Sequence, residues 1–308
     1  ALSKLKLPGT VVFVAVAGEE QGLNGSHHLA HMAKEQGWPL EAVLNNDIVG
    51  GDTTPGDTME DKSAVRVFSE SVPSSATPEQ QRMILALGAE NDSPSRMLAR
   101  EVAELAPEDD APRWHGSTPA APGVMRSGLV QLEPAFHPVL ILRRDRYLRG
   151  GDHTSFNGEG FAAIRFTEWR ENFNHQHQTL RTGNGIEYGD LLKFVDVNYV
   201  ANVARLNAAT LATLASAPSE PRNVKVLTRA LDNNSELTWE PSAFAPPGTT
   251  YEVVWRDSAT MLWSHSCSAG TATTLKVDVS KDNVLFGVRA VDAAGHRSLA
   301  VPPVPGRG

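Results

Sequence analysis

A single cysteine, Cys267, among 308 residues leaves neither an intramolecular disulfide nor a cysteine-based zinc site within the chain. The residue is expected to be a small core side chain. Basic residues are in the minority, with 28 Lys and Arg against 36 Asp and Glu and a formal net charge of −8. That balance argues against a nucleic-acid surface, which needs clustered cations to displace counterions. Peptides or small molecules fit better as partners. No run approaches the ~20 apolar residues of a membrane span, and the start, Ala1-Leu2-Ser3-Lys4, lacks the charged-then-apolar layout of a secretory signal. Gly22, Gly25, Gly50 and Gly51 lack the Lys and the spacing of a phosphate loop, and there is no Gly-x-Ser-x-Gly nucleophile elbow.

What is present is apolar material, 41% of the residues, ample for a core in each of two domains. Residues 10–17 (TVVFVAVA) read as a short β-branched strand buried on both faces, ending at Gly18-Glu19-Glu20. A helix over 25–36, with Ser26 as its cap, and a strand over 42–45 ending at Asn46-Asp47 follow. Residues 50–81 read as a long polar excursion with a strand at 64–68. Ser93-Pro94 opens an amphipathic helix to about 105, and a loop with Trp114 and His115 leads to a strand at 138–143. After Gly150-Gly151-Asp152-His153 comes a strand at 161–166, then a helix over about 189–214 carrying Leu192, Val195, Tyr199, Val203 and Leu206. This rhythm predicts an α/β domain over 1–216, a mostly parallel mixed sheet sandwiched by helices, whose ligands sit beyond the carboxyl ends of strands.

Residues 217–221 (APSEP) form a linker. Beyond it, short alternating segments at 223–228, 236–240, 250–256, 274–279 and 284–291 predict a second domain, 217–308, folded as a β-sandwich. Trp239, Tyr251, Trp255 and the run FGVRAVDAAGHRS resemble a fibronectin type III domain. Core packing accounts for Trp255 and Trp263 better than a sugar- or peptide-binding face does.

Glu19-Glu20, Asp47 and Asp152-His153 all lie at predicted strand ends. Singly, each reads as solvated or as a cap. A parallel sheet would bring them to one edge, where oxygen and nitrogen donors suit zinc and a spare carboxylate can act as general base. The segments VAVAGEEQGLNGSHHLA, Asn46-Asp47 and GGDHTSFNGEGFAAIRFTE resemble the M28-like zinc aminopeptidase family related to bacterial leucyl aminopeptidases and glutamate carboxypeptidase. The resemblance covers roughly residues 1–214. It implies a hydrolase of peptides with a pair of zinc ions, Glu19 as general base, Glu20 and Asp47 as ligands, and His153 as a further ligand. It also implies an extracellular or periplasmic location. In that family a zinc-binding His and a metal-bridging Asp precede the Glu pair, whereas only a short segment precedes the strand here. The expectation is an N-terminally truncated copy that binds zinc poorly and is inactive alone. Asp152 stands where some relatives carry a Tyr, so that Tyr's oxyanion role does not transfer to it, and it is expected to orient His153 or a neighbouring group.

Other groups rank lower. His175-Gln176-His177 reads as an exposed polar loop before it reads as a chelate, and His27 and His28 as surface groups of the covering helix. Arg143, Arg144, Arg146 and Arg149 read as a solvated strand end before a substrate-carboxylate site. The alternative to an enzyme is a non-catalytic, peptidase-like scaffold that presents the β-sandwich to a polymer or cell-surface partner.

Overall fold

The computed structural model describes residues 2–105 and 136–307. The expected loop with Trp114 and His115 lies outside them. The described residues divide into two compact units, one within 13–207 and the other formed by 2–12 with 208–307.

The first unit is a mixed α/β arrangement. Strands β1 (Val43–Asn46), β2 (Ala64–Ser69), β3 (His137–Ile141) and β4 (Ala163–Glu168) form a sheet in the order β1-β4-β2-β3. β1 pairs parallel with β4 and β2 parallel with β3, but β4 and β2 are antiparallel. The carboxyl ends of β1 and β3 therefore point in opposite directions. The expectation that one parallel sheet delivers Asp47 and Asp152-His153 to a shared edge is corrected: they are joined by the loop after β3. β4 lies between β1 and β2, and every one of its residues is buried, including Arg165, Thr167 and Glu168.

Helix α1 (Asn24–Glu35) starts from Leu23 in the left-handed region, φ 61°. Ser26 sits inside its first turn rather than at the cap, with its hydroxyl 2.9 Å from that of Ser155. α2 (Pro78–Leu87) opens with a reciprocal cap in which Thr77 and Gln80 exchange side-chain and backbone bonds. It falls partly within the expected excursion and was not anticipated. α3 (Pro94–Leu105) packs on β2, β3 and β4. α4 (His153–Gly158) packs on α1, β1 and β4 around Ala30, Phe156 and Ala163. α5 (Val197–Ser216) begins later than expected, so Leu192 is exposed, while Tyr199, Val203 and Leu206 are buried. The Tyr199 hydroxyl donates to the Ala64 carbonyl at 2.8 Å. Between β4 and α5 lies a small hairpin, β5 (Arg181–Gly183) with β6 (Ile186–Tyr188).

The second unit contains two sheets, β10-β9-β12 and β11-β8-β7-β13. Their members are β7 (Arg222–Leu227), β8 (Ser235–Glu240), β9 (Thr250–Asp257), β10 (His265–Gly270), β11 (Thr274–Val277), β12 (Val284–Val291) and β13 (Val304–Gly306). Leu237, Val253 and Val288 are fully buried, and Trp239, Tyr251 and Phe286 belong to the same apolar cluster. Cys267 and Trp255 pack partly buried against it. Trp255 also stacks on His265 with ring centroids 5.3 Å apart. β10 and β13 were not expected, because HSCSAG and VPG lack the β-branched alternation that marks the other strands.

The run 10–17 contradicts its sequence pattern. It belongs to none of the sheets, and Val12, Phe13 and Val14 are 63%, 77% and 55% exposed. A β-branched apolar run becomes a buried strand only where neighbours cover it, and the described residues supply none. Phe13→Ala should therefore change the stability of this chain by less than about 1 kcal/mol, whereas Phe166→Ala in β4 should cost ~3–5 kcal/mol. Denaturant unfolding of the two variants checks this, and equal losses would contradict it.

Candidate active site

Glycine positions the Glu pair. Gly25 donates its N–H to the Ala17 carbonyl at 2.8 Å, so close that a Cβ there would lie 2.5 Å from that oxygen. The carbonyl of Glu19 accepts from the N–H groups of Gly22 and Leu23, and the turn enters α1. Glu19 is half-buried. Burial, then the charges of Asp47, Glu20 and Asp152, push its carboxyl above the ordinary value, with Arg165 opposing. Burial also pushes Asp47 upward, assisted by Asp145 and Asp152 and opposed by Arg165 and Arg146. The four carboxylates of Glu19, Glu20, Asp47 and Asp152 thus share one neighbourhood. Asp152 acts there as a like charge, and its Oδ1 is buried without a hydrogen-bond partner among the described residues.

Arg165 is the cation beneath them. Its Nη2 lies 2.9 Å from Asp47 Oδ2, and its Nη1 donates to Asp145 Oδ2 at 3.1 Å and to the Gly150 carbonyl at 2.9 Å. Asp145 also accepts from the backbone N–H and Nε of Arg146. Burial works against the ionised Asp145, but Arg165 and the Arg146 bonds hold its carboxyl below the ordinary value. Sequence reading did not single out Arg165, although a charge within the apolar strand run AAIRF was the available signal.

His153, expected as a metal ligand, is placed differently. It opens α4 with no exposed surface, and its Nε2 donates to the Arg144 carbonyl at 2.9 Å. Burial lowers its pKa to about 4, so it is neutral at physiological pH. Nε2 is 3.7 Å from Asp145, and Nδ1 has no partner among the described residues. Through Nε2 it tethers the loop after β3. The imidazole that faces Glu20 is His177, whose Nδ1 is 3.5 Å from Glu20 Oε1 and whose backbone has φ 53°. This histidine sits in the loop read as exposed, and it is exposed.

The base of that loop is fixed. His175 contacts Asp52 through Nδ1 and stacks on Phe194 with ring centroids 3.5 Å apart. Glu168, at the end of β4, accepts the N–H groups of Gly51 at 2.7 Å and Asp52 at 3.1 Å. Burial, with the charges of Asp52 and Glu171 adding to it, raises the Glu168 pKa to about 8 against those bonds.

Zinc takes at least three protein ligands in its catalytic sites. Glu20 and His177 offer a pair of suitable donors, but among the described residues no group of three or more His, Cys, Asp or Glu is arranged to hold a metal ion. The site therefore fits part of a zinc donor set and needs donors from elsewhere.

Residues 1–118 match the model of peptidase family M28. The chain is 43% identical over 307 residues to a probable zinc metalloprotease of Pyrenophora teres f. teres, covering 99% of this chain and 58% of that protein. It is 42% identical over 308 residues to a probable zinc metalloprotease of Leptosphaeria maculans, covering 99% and 65%. The chain thus spans less than two thirds of the length of these relatives. Among solved structures it is similar to an Fn3-like protein from Clostridium thermocellum, 21% identical over 30% of this chain and 96% of that one, with a TM-score of 0.25.

Glu168 gives a pH test. Its folded pKa, about 8, lies above the ordinary 4.5, so the stability it contributes is fully present below pH 4.5 and is lost as pH rises towards 8. Glu168→Gln should remove that slope, gaining on the wild type steadily between those limits. Denaturant unfolding across this range checks it, and parallel stability curves for the two proteins would contradict it.

Proposed function

We propose, from the match of residues 1–118 to the model of peptidase family M28 and the likeness to proteins named probable zinc metalloproteases, that the complete protein is a zinc-dependent exopeptidase that removes residues from peptide N-termini. The observation that carries the reading is the environment of Glu19: a half-buried carboxyl, raised by burial and by Asp47, Glu20 and Asp152. Crowded carboxylates favour a cation among them, and a carboxylate of raised pKa is a better proton acceptor near neutral pH. When bound, zinc would supply Lewis acidity and a water of lowered pKa. Glu19 would take the proton of the attacking water and deliver it to the leaving amine. Glu20 and Asp47 would serve as ligands. His177 is proposed as the imidazole partner of Glu20, because it faces that carboxylate while the Nε2 of His153 is spent on a carbonyl. His153 then acts by tethering the loop that carries Asp145.

These 308 residues alone are proposed to be inactive, since their described part gathers no complete donor set and they span 58% to 65% of two relatives named as metalloproteases. The test compares this chain with a version of the relatives' length, both incubated with zinc and assayed on chromogenic amino-acid amides and on N-terminally blocked peptides. The longer protein is expected to hold a pair of zinc ions and to cleave only free N-termini. Glu19→Gln in it should lower kcat by roughly 10²–10⁴-fold. Full activity in the 308 residues would overturn the inactivity. Cleavage of blocked peptides from their C-termini would reverse the direction, and an inert, zinc-free longer protein would favour the scaffold.

A further inference from the structure

The loop after β3 forms an open cavity of about 410 Å³, lined chiefly by Arg143, Arg144, Arg146, Tyr147 and Arg149. In a chain of net charge −8 this is a local reversal of sign. Two of the arginines are committed. Arg146 donates to Asp145 and to Glu171, each at 3.0 Å, and Arg149 donates to Glu171 at 3.0 Å. The Arg143 guanidinium lies over the Tyr147 ring, 3.6 Å from its centroid, and Arg144 is exposed. Among the described residues neither Arg143 nor Arg144 has a carboxylate at ion-pair distance, although the charge of Arg144 is felt by Glu70.

The loop holding these cations is tied down from beneath. Arg165 donates to both Asp145 and the Gly150 carbonyl, the His153 imidazole donates to the Arg144 carbonyl, and the Thr154 hydroxyl donates to the Gly151 carbonyl at 2.7 Å. Asp145 and Glu171 are already paired with arginines. An incoming anion therefore meets guanidiniums on a pre-organised backbone. The same Arg165 lies 2.9 Å from Asp47, which puts the cavity one side chain away from the carboxylates of the candidate active site.

We propose that this cavity is a carboxylate-binding subsite, in which Arg143 and Arg144 receive the carboxylate of a peptide and Tyr147 flanks it. Naming the ligand as a peptide rests on the peptidase reading; the binding does not need catalysis. Planar guanidinium donors match the two oxygens of a carboxylate, and the carboxylate can be an acidic side chain or a free C-terminus.

Isothermal titration calorimetry on the 308-residue chain separates these sources with three N-acetylated tripeptides: one ending in glutamate amide, one in glutamine amide, and one in alanine with a free carboxylate. At least one acidic peptide is expected to bind and the glutamine amide peptide is not; which acidic peptide binds identifies the source. Binding should weaken at about 0.5 M salt. Arg143→Gln with Arg144→Gln should weaken it about tenfold without shifting the thermal unfolding midpoint, because both side chains are exposed, and the paired Lys substitutions should fall between. Binding that ignores the carboxylate, binding unaffected by the arginine variants, or no binding of either acidic peptide would overturn the proposal. No cleavage is read, so a failed titration leaves the peptidase reading intact, and an inert enzyme leaves the subsite standing.

Discussion

A guanidinium with no exposed surface, that of Arg165, keeps the acidic groups of the first unit within reach of one another. It reaches Asp47, Asp145 and the Gly150 carbonyl from the middle of β4, a strand flanked on both sides. Burial disfavours its charge, and its two carboxylates oppose that effect. Gly151 is shaped by the same group, since a Cβ there would come within 2.8 Å of Arg165 Nη1. Without this cation the loop after β3 would lose its side-chain attachment to β4, and Asp47 would lose its counter-charge.

From that centre the site spreads outward through charge rather than through apolar packing. Asp47 and Asp152 act on Glu19, Glu20 meets His177, and the loop carrying His177 is held at its base by Asp52, His175 and Phe194. Glu168 fixes the backbone of Gly51 and Asp52 beside that contact. Ala30, Phe156 and Ala163 form one apolar cluster in this part of the molecule, and Val67, Leu98, Ile164 and Phe166 are buried there as well. Burial and the repulsion among the acids raise the carboxyls of Glu19 and Asp47, and the buried arginine opposes that rise.

Much of the fold was legible in the sequence because apolar periodicity reports burial. Strands β1 to β4, helix α3 and five strands of the sandwich lie within a few residues of their expected places. The run 10–17 was misread for the same reason: its pattern states what it would bury, while burial depends on neighbours that the described residues do not provide. α4 was missed because DHTSFNG has neither helical periodicity nor strong formers. The Glu pair and Asp47 were legible as a group of acids, and the structure brings them together. The histidines were not, because an imidazole is a ligand, a tether or a surface group according to the direction it faces. His153 turned inward to a carbonyl, and His177 outward to Glu20.

The most direct measurement is the unfolding free energy of Arg165→Met beside that of the same substitution combined with Asp47→Asn and Asp145→Asn. If the buried guanidinium holds the acidic edge together, the single variant loses ~3–5 kcal/mol, because it strands buried carboxylates, and neutralising them restores much of the loss. A single variant that loses less than about 1 kcal/mol, or a combined variant that is no more stable than the single one, would contradict the account.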